Sequence, residues 1–187
     1  MRTFLALDID DDTRKALAQV APDRPVGGAK VRWVAPENLH VTLHFLGEVA
    51  DERMTEICDV VEAVAEGGEP FDFVVEGVAC VPPAGRKLRM VWANVSEPTG
   101  RLAELHAELG EALEGLGFHQ ERRAYRPHIT LGRVKYARRP DAVRETVAAH
   151  GETRFGVSRA DSVTAYASEL RRDGPTYTAL SRFPIGV

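Results

Sequence analysis

The chain has 187 residues, is 44% hydrophobic and 28% charged, and carries a net charge of −4. That composition suits one globular domain over residues 1–187 with a sizeable core, and it excludes a global basic field that would draw in nucleic acid. No apolar run approaches the roughly 20 residues of a membrane span, and the start, MRTFLALDIDDD, lacks the long apolar segment of a secretory leader, so a cytoplasmic protein with no membrane partner is expected.

In chain order, alternation and β-branched enrichment predict strands over Arg2–Asp8, Val31–Val34, Leu39–Leu46, Phe71–Val81, Leu88–Val95, His128–Val134, Thr153–Val157, Val163–Leu170 and Tyr177–Ile185. Apolar stripes at helical spacing predict helices over Asp12–Val20, Val49–Ala65, Thr99–Leu116 and Asp141–His150. Met54, Ile57, Cys58 and Val61 form one stripe, and Leu102, Leu105, Leu109, Leu113 and Leu116 another. Gly67–Gly68 and Gly117 read as helix stops and Asp141 as a start. Cys58 and Cys80 form no close pair and no metal-ligand spacing, so both read as buried thiols.

Within the third strand, NLHVTLHFLGEV (38–49), Leu39, Val41, Leu43 and Phe45 are one alternating set, and His40, Thr42 and His44 are the other. Successive strand side chains point to opposite faces, so the first set is expected in the core. A polar second face ordinarily meets water. A second stretch, YRPHITLGRVK (125–135), repeats the pattern: His128 and Thr130 share a face, and Ile129 and Leu131 share the other. One strand-borne His-x-Thr-Leu in each half, each followed by a helical segment, has the form of an internal duplication. Mixed strands and helices with a repeat imply an α+β protein of two similar lobes. A pseudo-two-fold between the lobes would set the motif strands facing each other across a central cleft.

The residue types limit the chemistry. His40 and His44 would lie about 13 Å apart on a strand, at roughly 3.3 Å per residue, too far to chelate one ion. His40 with His128 supplies two ligands where zinc usually takes three or four from the protein, so no metal or other cofactor is expected. G-x-S-x-G and GxxxxGK are absent. Two opposed imidazoles suit general acid–base catalysis, one taking a proton from water and the other giving one to a leaving oxygen. Threonine hydroxyls beside them can donate to negative oxygens, and an arginine matches phosphate geometry. That set suits a phosphodiester already primed to break, such as a strained cyclic phosphate. The segment Arg122–Arg139 holds seven Lys or Arg and no Asp or Glu, and reads as an anion-attracting rim around the second motif.

With MRTFLALDI, VRWVAPENLHVTLHFLGEV, LRMVWANV and YRPHITLGRV in place over nearly the whole chain, the sequence resembles the 2H phosphoesterases, named for their two His-x-Thr/Ser-x motifs. Among these it is most similar to the RNA 2′,3′-cyclic phosphodiesterases, also called 2′-5′ RNA ligase-like or LigT-like proteins. The resemblance implies two pseudo-symmetric lobes, each an antiparallel sheet with helices packed outside, and motif strands lining the cleft. It implies hydrolysis of a terminal RNA 2′,3′-cyclic phosphate to a 2′-phosphate end, on RNA such as tRNA halves or on a nucleotide 2′,3′-cyclic phosphate, by a monomer. On the family pattern His40 is the proton donor, His128 the acceptor, and Thr42 and Thr130 hold the phosphate. Arg133 matches a family arginine, although strand parity puts it on the face opposite His128. Arg126 has the parity of His128 and is a rival phosphate contact. His44, on the cleft side by parity, departs from the usual pattern and is expected to be passive. Trp33 and Tyr125 are candidates to stack on a base. His106, His119 and His150 read as structural or solvated. Alternative activities on such a scaffold are 2′-5′ RNA ligation and cyclic-nucleotide hydrolysis, and the rival from another class is a non-catalytic RNA-end-binding module.

Overall fold

The computed structural model describes residues 1–22, 24–119, 123–170 and 174–187. Among them are nine strands: β1 (Arg2–Leu7), β2 (Lys30–Trp33), β3 (Val41–Glu48), β4 (Phe71–Val81), β5 (Met90–Ser96), β6 (His128–Tyr136), β7 (Arg154–Ala160), β8 (Ser162–Leu170) and β9 (Pro175–Pro184). The helices are α1 (Asp11–Ala18), α2 (Met54–Gly67), α3 (Arg101–Gly115) and α4 (Pro140–Ala148). Each lies where sequence periodicity places it, with ends displaced by a few residues and β4 not at all. The Leu102, Leu105, Leu109 and Leu113 stripe of α3 is buried, as are Ile57, Val61 and Ala65 of α2. Gly117 follows α3 at φ +85°, a backbone region open to glycine at little cost. Cys80 is buried, whereas Cys58 is half-buried.

The strands form one continuous antiparallel sheet in the order β7-β4-β5-β6-β3-β1-β8-β9, with β2 paired to β6. The order is palindromic about its centre. β6 corresponds to β3, β5 to β1, β4 to β8 and β7 to β9, so each four-strand half mirrors the other. The halves meet through a single pair, Val41 with Ile129. These are the central residues of the two motifs, so the pseudo-two-fold passes between them. The motif strands are therefore neighbours joined at one point at the centre of the sheet. The helices lie behind the sheet, and α1 and α3 exchange halves. α1 follows β1 yet packs on β7, whereas α3 follows β5 yet packs on β3 and α2. α2 rests on β8 and β9, and α4 on β4.

Candidate active site

Val41 and Ile129 are fully buried on the helix face of the sheet. Their neighbours His40, Thr42, His128 and Thr130 therefore share the opposite face. Extending the antiparallel pairing of Val41 with Ile129 by one residue sets His40 across from Thr130 and Thr42 across from His128. The two halves thus bring both pairs together, each histidine beside the other motif's threonine.

Each imidazole is held the same way. Nδ1 of His40 is 2.7 Å from the Asn38 carbonyl, and Nδ1 of His128 is 2.7 Å from the Arg126 carbonyl. A carbonyl only accepts, so each Nδ1 carries the proton and each Nε2 is left for chemistry. Nε2 of His40 lies 3.0 Å from the Thr42 hydroxyl. The ring of His40 stacks on Phe4 at 4.9 Å and meets the edge of Tyr177 at 5.3 Å. The ring of His128 lies 4.0 Å from that of Trp92. Burial lowers the pKa of both histidines. The Asn38 carbonyl and the Asp8 charge oppose this at His40, against smaller lowering contributions from Arg14 and His128. At His128 the Arg126 carbonyl opposes the lowering and the Arg133 charge adds to it.

A β-bulge follows each motif. Leu5 and Ala6 of β1 pair with His44 and Thr42, which leaves Leu43 extra. Val91 and Trp92 of β5 pair with Gly132 and Thr130, which leaves Leu131 extra. An extra residue reverses the alternation beyond it, and three sequence expectations change as a result. Arg133 pairs with Met90, in line with Trp92–Thr130 and Asn94–His128, so it joins the motif face rather than the opposite one. Phe45, expected in the core, pairs with Phe4 on the motif face and is 64% exposed. His44, expected on the cleft side, instead pairs with the buried Leu5 and turns to the helices. Its Nε2 donates to the His106 carbonyl at 2.7 Å, and its ring stacks on His106 at 4.3 Å. Tyr125, a candidate base-stacking residue, stacks on His106 at 3.8 Å and donates its hydroxyl to the Thr42 carbonyl. Burial and the neighbouring His44 push His106 down to about 4.

Arg126 precedes β6, its carbonyl committed to His128 and its side chain exposed. Arg133 is exposed too, its Nη1 3.7 Å from the sulfur of Met90. Neither guanidinium is paired with a carboxylate among the described residues, so both charges are available to an anion. Arg122 of the basic segment lies outside the described residues; Arg123, Arg138 and Arg139 are exposed and in no ion pair among them.

Several supporting residues have no signal in the sequence. Arg14 of α1 donates to the carbonyls of Ile9, Pro36 and Leu39 at 2.8–3.1 Å, tying down the segment that delivers His40. Asp8 accepts from Thr164 at 3.0 Å, Tyr166 at 2.5 Å and Arg182 at 2.7 Å, which fixes a negative charge near His40. Burial, and then that carboxylate, push Tyr166 up to about 12. Trp33 lies on the helix face against Gly132. No cluster of three or more His, Cys, Asp or Glu placed to hold a metal occurs among the described residues.

The chain matches the 2′-5′ RNA ligase superfamily over residues 10–166. It is 36% identical over 183 residues, 98% of either chain, to an RNA 2′,3′-cyclic phosphodiesterase of Methanothermobacter thermautotrophicus. Its structure resembles TT0787 of Thermus thermophilus, with a TM-score of 0.81 and 26% identity, covering 100% of this chain and 98% of that one. It also resembles E. coli LigT complexed with 3′-AMP, with a TM-score of 0.75 and 26% identity, covering 98% and 97%.

Proposed function

The chain belongs to the 2′-5′ RNA ligase superfamily, and from that premise we propose that it is an RNA 2′,3′-cyclic phosphodiesterase that opens a terminal cyclic phosphate to a 2′-phosphate end without a metal. The observation that carries the reading is the pair of imidazoles on one sheet face, each with Nδ1 committed to a carbonyl and Nε2 left for proton transfer. His128 takes a proton from water as the water oxygen bonds to phosphorus. The bond from phosphorus to O3′ breaks, and His40 gives its proton to that oxygen. Thr42 and Thr130 donate to the non-bridging oxygens, and Arg133 and Arg126 supply the positive charge that a developing phosphorane favours.

The division of labour has an electrostatic basis. Burial lowers both pKa values, but Arg133 further disfavours protonated His128, as a base requires, and Asp8 favours protonated His40, as an acid requires. Relatives named as RNA 2′,3′-cyclic phosphodiesterases at 30–36% identity over nearly the full chain support the substrate class.

The test is incubation, with EDTA present, of an RNA oligomer ending in a 2′,3′-cyclic phosphate beside the matching mononucleotide. The expected result is a 2′-phosphate, 3′-hydroxyl end on the oligomer. A 3′-phosphate product would overturn the regiochemistry. Activity lost in EDTA and restored by one divalent ion would overturn the metal-free mechanism, and retention of the cyclic end without turnover would indicate a binding module.

A further inference from the structure

A cavity of about 480 Å³ is separate from the motif histidines and threonines. It lies under α4, between β2, the end of β6 and the segment joining α1 to β2. Its wall is apolar, with Val31, Trp33, Val143 and Val147 prominent. Around it stand Arg24, Lys30 and Arg138, all exposed, and no Asp or Glu lines it among the described residues. None of these three cations is in an ion pair among the described residues. Arg138 belongs to the basic segment that the sequence assigns wholly to the second motif. The fold divides that segment, sending Arg133 to the histidines and Arg138 to this cavity.

Two properties of the cavity point to one class of occupant. Its volume lies within the range of about 300–1,000 Å³ usual for small-molecule sites, which pair an apolar wall with a few convergent polar groups. Three cations with no ion pair among the described residues repel one another around one apolar hollow, and an anion relieves that repulsion. A nucleic-acid strand fits poorly, because its bases and phosphates call for an open basic track with stacking platforms. We propose that this cavity binds a small amphipathic anion. Its ring or short chain would lie on Trp33 and the valines, and its carboxylate, sulfonate or phosphate would meet Arg24, Lys30 and Arg138. This proposal stands apart from the phosphodiesterase reading, since no motif residue takes part.

The experiment is fluorescence titration of the full chain with 1-anilinonaphthalene-8-sulfonate, followed by displacement with decanoate. One saturable site per chain is expected, with decanoate competing for it. Lys30→Glu with Arg138→Glu should weaken the probe about tenfold or more, as loss of charge-assisted contacts does. His128→Ala and the distant Arg159→Glu should leave binding unchanged. Val147→Trp should fill the cavity and abolish binding, and because both reversed positions are exposed, the charge variants decide the matter if that variant does not fold. Unchanged affinity in the Lys30/Arg138 double variant would overturn the proposal, and so would displacement of the probe by an RNA oligomer or by inorganic phosphate acting at the histidines.

Discussion

The two motif strands are nearly the same object built twice. In β3 and in β6 a His-x-Thr is followed by a leucine bulge, and each histidine is held through Nδ1 by the carbonyl two residues before it. They part beyond the bulge. The first post-bulge residue is His44 in one half, with room for a ring against His106, and Gly132 in the other. At Gly132 a Cβ would come within 2.8 Å of Val31 and 3.0 Å of Trp33, because β2, which has no counterpart in the other half among the described residues, fills that space. The next residue faces the site in both halves, as Phe45 in β3 and Arg133 in β6. A duplicated backbone therefore supplies two equivalent imidazole positions, and side chains at one equivalent pair make them unlike. The Arg133 charge lowers His128 with no carboxylate against it, whereas at His40 the Asp8 charge outweighs that of Arg14.

The strongest challenge to this equivalence is to remove each histidine in turn. His40→Ala and His128→Ala should each lower kcat by about 10²–10⁴, the usual range for a positioned acid or base. In the double variant the loss should be smaller than the product of the two, because both act in one transition state. A variant with full turnover would sink the acid–base reading. The asymmetry is tested next by Arg133→Gln, expected to reduce kcat/KM by about 10–10², the worth of a hydrogen bond to a charged group. Phe45→Leu should cost less than about threefold by the same measure. Equal losses at these two positions would mean that the site does not distinguish its halves in this way.

The pH profile sharpens the comparison further. Both histidines are held below their ordinary value, so the maximum of kcat/KM should fall on the acidic side of pH 6.5, the unperturbed value. On the proposed roles, the acid limb should follow His128, as the neutral base, and the alkaline limb His40, as the protonated acid. Arg133→Gln removes a cause that lowers His128 and should move the acid limb to higher pH. Asp8→Asn removes a cause that raises His40 and should move the alkaline limb to lower pH. Shifts in the same direction would reverse or erase the assigned roles. The smallest effect on turnover is expected at His44→Ala, under about threefold in kcat, because that ring faces α3. Loss there as large as at His40 would contradict the bulge geometry.

Much of this was legible in the sequence, and what was not has a common cause. Alternation identified the strands and placed His40, Thr42, His128 and Thr130 on one face, because Val41 and Ile129 between them are plainly apolar. Alternation carries no record of an inserted residue, so Phe45, His44 and Arg133 were each put on the wrong face by the bulge before them. The aromatic wall around the histidines was hidden for a different reason. In β1 both Phe4 and Leu5 are apolar and both are buried, and only the ring contact with His40 shows that Phe4 belongs to the site. Trp92 in β5 is the matching case. Arg14 was unreadable because its partners are main-chain carbonyls, which any sequence could supply.

The exchange of α1 and α3 between halves bears on how the molecule comes apart. α1 grows from the strand beside β3 but covers β7, and α3 grows from the strand beside β6 but covers β3. Each half-sheet therefore borrows part of its cover from the other half of the chain. Neither half can melt without uncovering apolar surface on its neighbour, so the two should unfold together in one cooperative transition despite the single bridge between their sheets. A chain cut in the loop between β4 and β5 should give two pieces that aggregate alone and regain structure when refolded together, the behaviour of interlocked parts and not of beads on a string.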